Sequence, residues 1–333
     1  MLQNFSLCDS CLGRQFALLG YNLKNRERGK MIKELLFDFF SKDFLKDNSA
    51  VDALRILARN GFFKPAGNLL NKFNLNLPDE SYNYECMLCE NKHEFLDKFV
   101  DTAIKKLTRF EFSTFLVGIT LPFGVEERED EFKAAFKVLY GENIRNEFGR
   151  SIGKRIVKKT NKQVDFRNPD LVILINPLTE KISIQAAPVF VGGTYRALVD
   201  NIPQSTWFCS TCRGKGCQKC DWSRKNSSET IEELFKKPFI NFFSSNTATF
   251  HSSSHSNIVT DDFGSWKYFV MEVSSPKKRF VDLTKLNSLV KVSSKGRLEI
   301  LNLSFVDKSF IQKIKNSSQF PSKNPFQSNL KKR

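Results

Sequence analysis

The sequence predicts an α+β multidomain protein, and two features of the chain favour this class. Helical patterns, with apolar residues three and four positions apart, give way to strand-length runs rich in β-branched and aromatic residues. A length of 333 residues corresponds to two or three domains, and a hydrophobic fraction of 41% is sufficient for packed cores. No apolar run approaches the roughly 20 residues of a membrane span, and the first 16 residues lack a signal-segment pattern. We therefore expect a cytoplasmic protein without a membrane partner.

A helical module is predicted over residues 1–90. Residues 31–45 and 51–63 have the apolar spacing of helices. A further helix is expected over residues 93–110, where one apolar side is formed by Phe95, Phe99, Ala103 and Leu107.

The rest of the chain is predicted to form two mixed α and β domains, over residues 91–225 and 226–333. The strand candidates in the first are residues 114–121, 170–177 and 181–193, and its helix candidates are residues 127–141 and 143–160. The second has a capped helix at 227–243, a polar loop from residue 250, strands at 266–273 and 296–306, and a loose tail after residue 315.

The cysteines predict two metal sites. All eight lie in four C-x-x-C pairs, namely Cys8 with Cys11, Cys86 with Cys89, Cys209 with Cys212, and Cys217 with Cys220. In a reducing compartment such pairs favour zinc over redox or inert thiols. The pairs from 209 to 220 can close on themselves across a short loop with two glycines, and the other two would clip the N-terminal segment. Because four thiolates leave no open position, the zinc is expected to be structural.

The charge distribution indicates a nucleic-acid partner. The formal net charge is +16, and residues 265–333 alone carry 15 basic and 4 acidic side chains, including Lys277, Lys278 and Arg279. The predicted helix 143–160 also has cations that suit phosphate contacts, namely Arg150, Lys154, Arg155, Lys158 and Lys159. A solvated helix face is the alternative explanation for this second group.

Six motifs, in order from residue 8 to about residue 316, resemble one enzyme family. They are CDSCLGRQF, NRERGK, CMLC, YRALVDNIPQSTWFCSTCRGKGCQKC, KYFVMEVSSPKKR and SSKGRLEILNLSFV. The family is the archaeal and eukaryotic tRNA pseudouridine synthases with an N-terminal THUMP-containing accessory domain. The resemblance implies tRNA binding and isomerisation of uridine to pseudouridine in the T-loop.

The resemblance also assigns the domains. Residues 1–90 correspond to a zinc-knuckle module, residues 91–225 to a THUMP-like α/β domain that ends in a second, archaeal-type knuckle, and residues 226–333 to a truncated synthase-like domain with a basic tail. Tyr195 matches the family pattern before that knuckle and is expected among the RNA-binding residues. Thr194 stands where the family usually has arginine, so one basic contact is missing.

The family's catalytic aspartate is expected in the loop before the strand that ends at Glu272. Counted back from Glu272, the nucleophile position falls on Val259, the flanking acid on Asn257 and the family's arginine on Asp261. A small shift in spacing would make Asp261 or Asp262 the nucleophile, and we take Asp261 as the candidate. A solvated turn is the alternative for both acids.

Two further observations bear on this loop. His251 and His255 flank its serines, and we expect them to be solvated, not catalytic or metal-binding. Family members also continue beyond the point where this chain ends, which predicts a remnant catalytic domain or a shortened sequence. The alternative function is therefore a tRNA-binding zinc and THUMP protein without catalysis. A methyltransferase or thiolation enzyme is disfavoured, because no Gly-rich nucleotide-binding loop follows a strand.

Overall fold

The computed structural model describes residues 1–316, except residues 21, 43, 76–84, 201, 206–207, 226–228 and 254–263. The chain forms two compact units, one of Met1–Leu107 with Thr114–Ile184 and one of Thr108–Ser113 with Gln185–Arg333. The domain boundaries expected after residues 90 and 225 stay predictions, as does the loose tail, because residues 317–333 lie outside the described residues. In the described part of the chain, every helix is too short or too polar to cross a bilayer.

The first unit combines an N-terminal helical part with a four-stranded sheet. Its helices are α1 (Asp9–Gly13), α2 (Asn25–Phe40), α3 (Asn48–Arg59), α4 (Lys64–Lys72), α5 (Leu96–Leu107), α6 (Val125–Ala135) and α7 (Ile144–Thr160). Its strands are β1 (Thr114–Ile119), β2 (Gln163–Val164), β3 (Leu171–Asn176) and β4 (Lys181–Ala186). The strand order is β2-β1-β3-β4, and β1 runs parallel to both β2 and β3.

Helices α5 and α7 pack together in this unit, and α7 also packs against β1. The buried faces follow from the sequence pattern. Every second residue of β3 is buried, beginning with Leu171, and α5 buries residues spaced three and four apart, such as Phe99 and Ala103. Phe95, expected on the same face, precedes α5 in a 3-10 turn and is 45% exposed.

Helices α1 and α2 approach each other closely at two glycines. A Cβ atom added to Gly13 would lie 1.8 Å from the carbonyl oxygen of Asn25, and one added to Gly29 would lie 1.9 Å from that of Asp9. Neither position admits a side chain. The α2 helix starts at Asn25, six residues before the predicted start. Its first turns are polar, and they are buried where α2 packs against α1.

The second unit is an antiparallel sheet with helices on both faces. Its elements in chain order are β5 (Val189–Ala197), α8 (Ile231–Phe242), β6 (Thr247–Ser252), β7 (Lys267–Ser274), α9 (Leu283–Ser293), β8 (Leu298–Phe305) and α10 (Ser309–Asn316). The strand order is β6-β7-β5-β8. The strand β6 occupies part of the stretch predicted as a polar loop, which is a correction to the sequence analysis.

Alternating residues of β7 explain how this sheet is covered. Phe269 and Met271 belong to a core that includes Phe235 and Phe239 of α8, whereas Val270 belongs to a second cluster with residues of α10. Because successive strand residues point to opposite faces, both faces of β7 are buried. The ring centroids of Phe235 and Phe269 lie 4.7 Å apart, so aromatic packing dominates the larger core.

Candidate metal centres and nucleic-acid interface

The first cysteine tetrad lies in the first unit and consists of Cys8, Cys11, Cys86 and Cys89. Cys8 is the N-cap of α1, where its sulfur accepts a hydrogen bond from the backbone N–H of Cys11 at 3.4 Å. The sulfurs of Cys8 and Cys89 are 3.6 Å apart, and all four sulfurs lie within 4.8 Å of one another. A tetrahedral zinc ion with Zn–S distances of about 2.3 Å separates its sulfurs by about 3.8 Å. The tetrad therefore has the donor set and spacing of a closed metal site.

The second tetrad lies in the second unit and consists of Cys209, Cys212, Cys217 and Cys220. Its sulfurs are 3.8 Å apart between Cys209 and Cys217 and also between Cys212 and Cys220. A hydrogen bond from the backbone N–H of Cys212 is the main cause that lowers the pKa of Cys209 to about 6. A thiolate is the form that binds a metal, so this environment favours ligation by Cys209, whereas desolvation raises the pKa of Cys217 to about 11.

A buried ionic cluster in the first unit was not found from the sequence. Arg14 follows α1, has a fully buried side chain, and forms ion pairs with Glu129 of α6 and Glu147 of α7. The Nε2 atom of His93 lies 3.4 Å from Oε2 of Glu147. Burial raises the pKa of Glu147 to about 7, although Arg14 opposes the shift. Burial also lowers the pKa of His93 to about 3, so this imidazole stays neutral, and neither its Nε2 atom nor Oε2 of Glu147 has a hydrogen-bond partner within the described residues.

The five cations of the predicted basic helix, α7, fall into two groups. Three of the five side chains are held by carboxylates of the same unit, Arg150 by Glu142 at 2.5 Å, Arg155 by Asp97 at 3.1 Å, and Lys159 by Asp101 at 2.5 Å. Lys154 and Lys158 are exposed, and neither has an ion pair within the described part of the chain. Because they are four residues apart on α7, both project from one side of the helix.

The structure corrects two of the other predicted RNA contacts. Tyr195 is 1% exposed, and its hydroxyl lies 3.2 Å from Oγ of Ser252, so it is a core residue of the second unit. Arg279 is also buried, and its guanidinium donates a hydrogen bond to the carbonyl of Ala187. Lys277 and Lys278 are exposed and remain available to a phosphate.

The predicted catalytic residues lie outside the described residues, as do Asn257, Val259 and His255. The described residues stop at Ser253, directly after β6, and resume at Gly264 before β7. His251, expected to be solvated, instead lies on β6 with its Nε2 atom 3.1 Å from Oε2 of Glu272, and its side chain is 16% exposed. No sequence pattern indicated this pair, because it depends on the pairing of two strands.

Two family models match parts of the chain, one largely within the first unit and one within the second. The archaeal Pus10 THUMP-domain model matches residues 99–176, and the Pus10 C-terminal model matches residues 190–327. The chain thus contains a THUMP domain, the class of module expected from the motifs.

Full-length relatives extend this match. The tRNA pseudouridine synthases Pus10 of Methanothrix thermoacetophila and Thermofilum pendens are 32% and 34% identical over 93% and 97% of this chain, and over 67% and 69% of their own length. The enzyme of the same name from Methanopyrus kandleri is 31% identical over 96% of the chain and 71% of its own length. The chain belongs to the tRNA pseudouridine synthase Pus10 family, which confirms the resemblance.

Proposed function

We propose that this protein binds tRNA and isomerises uridine to pseudouridine in the T-loop. The observation that carries the proposal is the match of the Pus10 C-terminal model to residues 190–327, the stretch that forms the aromatic-cored sheet. The THUMP match supports tRNA as the substrate. The relatives, all named as synthases, favour an enzyme over a tRNA-binding protein without catalysis.

Asp261 is the proposed nucleophile, with Asp262 as its neighbouring alternative. A carboxylate would attack the nucleotide, the bond between the base and the sugar would break at nitrogen, and the base would turn and rejoin through carbon. The target uridine has to leave its stack to reach the carboxylate. The stretch of sequence that carries both acids connects β6 to β7, and these two strands pair directly at one edge of the sheet.

The test is pseudouridine formation in an unmodified tRNA transcript, read at the T-loop uridines. Asp261→Ala should abolish product while tRNA binding persists, and Asp307→Ala, an exposed acid of the same unit, should leave the rate unchanged. Product loss in Asp262→Ala alone would move the nucleophile by one residue. A wild-type protein that binds tRNA and forms no pseudouridine would establish the alternative function.

Both cysteine tetrads are proposed to hold structural zinc. The sulfur spacings of 3.6 to 3.8 Å support this assignment, and zinc would supply tetrahedral cross-links without taking part in the isomerisation. Elemental analysis of protein purified without chelator should find about two zinc ions per chain. Cys11→Ser and Cys212→Ser should each remove one ion, and a metal-free wild-type protein would contradict the proposal.

The exposed lysines are proposed as phosphate contacts for the tRNA. Lys154 and Lys158 on α7, with Lys277 and Lys278 in the second unit, are the predicted cations that are exposed and have no ion pair within the described residues. Each true phosphate contact contributes about one unit to the slope of log affinity against log salt. Lys158→Ala should reduce that slope by about one, and Lys64→Ala, an exposed lysine at the start of α4, serves as the control. An unchanged slope in Lys158→Ala would exclude this contact.

A further inference from the structure

The second cysteine tetrad presents two aromatic side chains to solvent. Phe208 is 68% exposed and Trp222 is 71% exposed. Single exposed apolar residues are ordinary on protein surfaces. These two rings are different, because both are held by the same short loop between the cysteine pairs.

Two glycines of that loop provide the support. A Cβ atom added to Gly214 would lie 2.9 Å from Cδ1 of Phe208, and one added to Gly216 would lie 3.1 Å from Cε3 of Trp222. Each ring therefore rests against backbone that has no side chain. The backbone N–H of Trp222 also donates to the carbonyl of Cys217 at 3.0 Å, which ties the ring to the tetrad.

The backbone of Trp222 is in an unfavourable conformation. Its φ of 59° lies in the left-handed region, which bulky side chains rarely adopt and which costs on the order of 1–3 kcal/mol. The chain thus holds a large apolar ring in water with a strained backbone. Such a combination is typical of residues kept for binding and not for stability.

Four exposed cations lie in the same short segment of the chain as the two rings. Between residues 208 and 225 the sequence has one acid, Asp221, whereas the exposed cations are Arg213, Lys215, Lys219 and Arg224. Within the described residues, none of these four side chains forms an ion pair. The surface therefore combines aromatic rings with cations that are free to contact an anion.

We propose that this ring surface, formed by Phe208, Trp222 and the four cations, binds single-stranded RNA. Unpaired bases would stack on the two rings while the phosphates contact the cations, the combination by which proteins bind single strands without sequence preference. A duplex keeps its bases stacked on each other and offers no free base face to the rings. The inference rests on the proposed function only in taking tRNA as the natural source of the strand.

The test uses the full chain and a labelled ten-nucleotide oligouridylate, with binding followed by fluorescence anisotropy. Because stacking contributes about 1–3 kcal/mol per base, Phe208→Leu and Trp222→Leu should each weaken binding about fivefold or more. Trp222→Phe, which keeps an aromatic face, should retain most of the affinity. Phe166→Leu removes a ring that is 80% exposed in the first unit and should have no effect.

Three results would overturn the proposal. The first is wild-type affinity in both leucine variants at full metal content, and the second is tighter binding of a ten-base-pair RNA duplex than of the single strand. If a leucine variant loses metal, Lys219→Ala decides instead, since it should lower the salt slope by about one, and an unchanged slope is the third contrary result. Pseudouridine formation in the same variants separates the two proposals. Product without oligouridylate binding refutes the ring surface alone, and oligouridylate binding without product refutes only the synthase activity.

Discussion

Replacement of Gly29 by alanine should release one metal ion and destabilise the first unit. The added Cβ atom would lie 1.9 Å from the carbonyl oxygen of Asp9, whereas ordinary contacts begin at 3.4 Å. The obstacle is backbone, so α1 and α2 must separate by about 1.5 Å. Because α1 carries Cys11 and is capped by Cys8, this separation moves half of the first tetrad.

The magnitude follows from two opposing effects. Alanine favours a helix over glycine by about 1 kcal/mol. Overpacking costs about 1–3 kcal/mol, and a clash with backbone belongs at the upper end of that range. A metal site tolerates displacements of only about 0.2 Å. The free energy of unfolding should therefore fall by about 2 kcal/mol, together with the contribution of the lost metal.

The assay combines elemental analysis with urea unfolding. Gly29→Ala should retain about one zinc ion per chain, in the second tetrad. Gly149→Ala on α7 is the matched control, because its Cβ atom would meet Ile119 at 3.6 Å, an ordinary contact, and it should keep both ions. If Gly29→Ala kept both ions and the wild-type unfolding midpoint, the close approach of α1 and α2 would not position the tetrad.

Three further predictions concern stability. Arg14→Met leaves the carboxylate of Glu129 buried without its cation, and the free energy of unfolding measured in urea should fall by about 3–5 kcal/mol. A fall below about 1 kcal/mol would show that Arg14 and Glu129 do not form a buried ion pair. The raised pKa of Glu147 means that the folded state holds a proton released on unfolding; the resulting stability is complete below about pH 4.5 and is lost as pH rises through about 7. Glu147→Gln should remove this pH-dependent loss of about 3 kcal/mol. The prediction is refuted if the difference in urea midpoint between the wild type and Glu147→Gln is the same at pH 5 and at pH 8. Thr230→Ala removes the hydrogen bond accepted from the backbone N–H of Glu233 at the start of α8, with an expected loss of about 1 kcal/mol, and an unchanged unfolding midpoint would argue against the cap.

Chemistry that is local in sequence could be predicted from the chain. The C-x-x-C pairs place two thiols on one turn whatever the surrounding fold, and their even number suggested how they combine. The same holds for the strands β1 and β3, whose sequences are rich in β-branched and other apolar residues. The family resemblance likewise rests on short motifs that can be read without a structure.

Features that depend on tertiary partners could not be predicted. The serine-rich composition around His251 indicated a loop, but the ladder with β7 makes it a strand, where Glu272 becomes a neighbour. Tyr195 lies in one of the motifs that carry the family resemblance, where an RNA contact is predicted, yet the sheet and α8 enclose it. The buried position of Arg14 depends on acids more than 100 residues away in the chain.

The two cysteine tetrads should differ in how quickly they regain metal. The first spans 74 residues between Cys11 and Cys86, and the second spans four between Cys212 and Cys217. From the dependence of loop closure on length, the long span costs about 2.5 kcal/mol more entropy to close in an unfolded chain. The second tetrad can therefore bind metal before the rest of its unit folds. The first tetrad can bind metal only after its unit refolds and brings its two cysteine pairs together. After chelation, the rate of metal uptake at each site would therefore report separately on a local turn and on the folding of an entire unit.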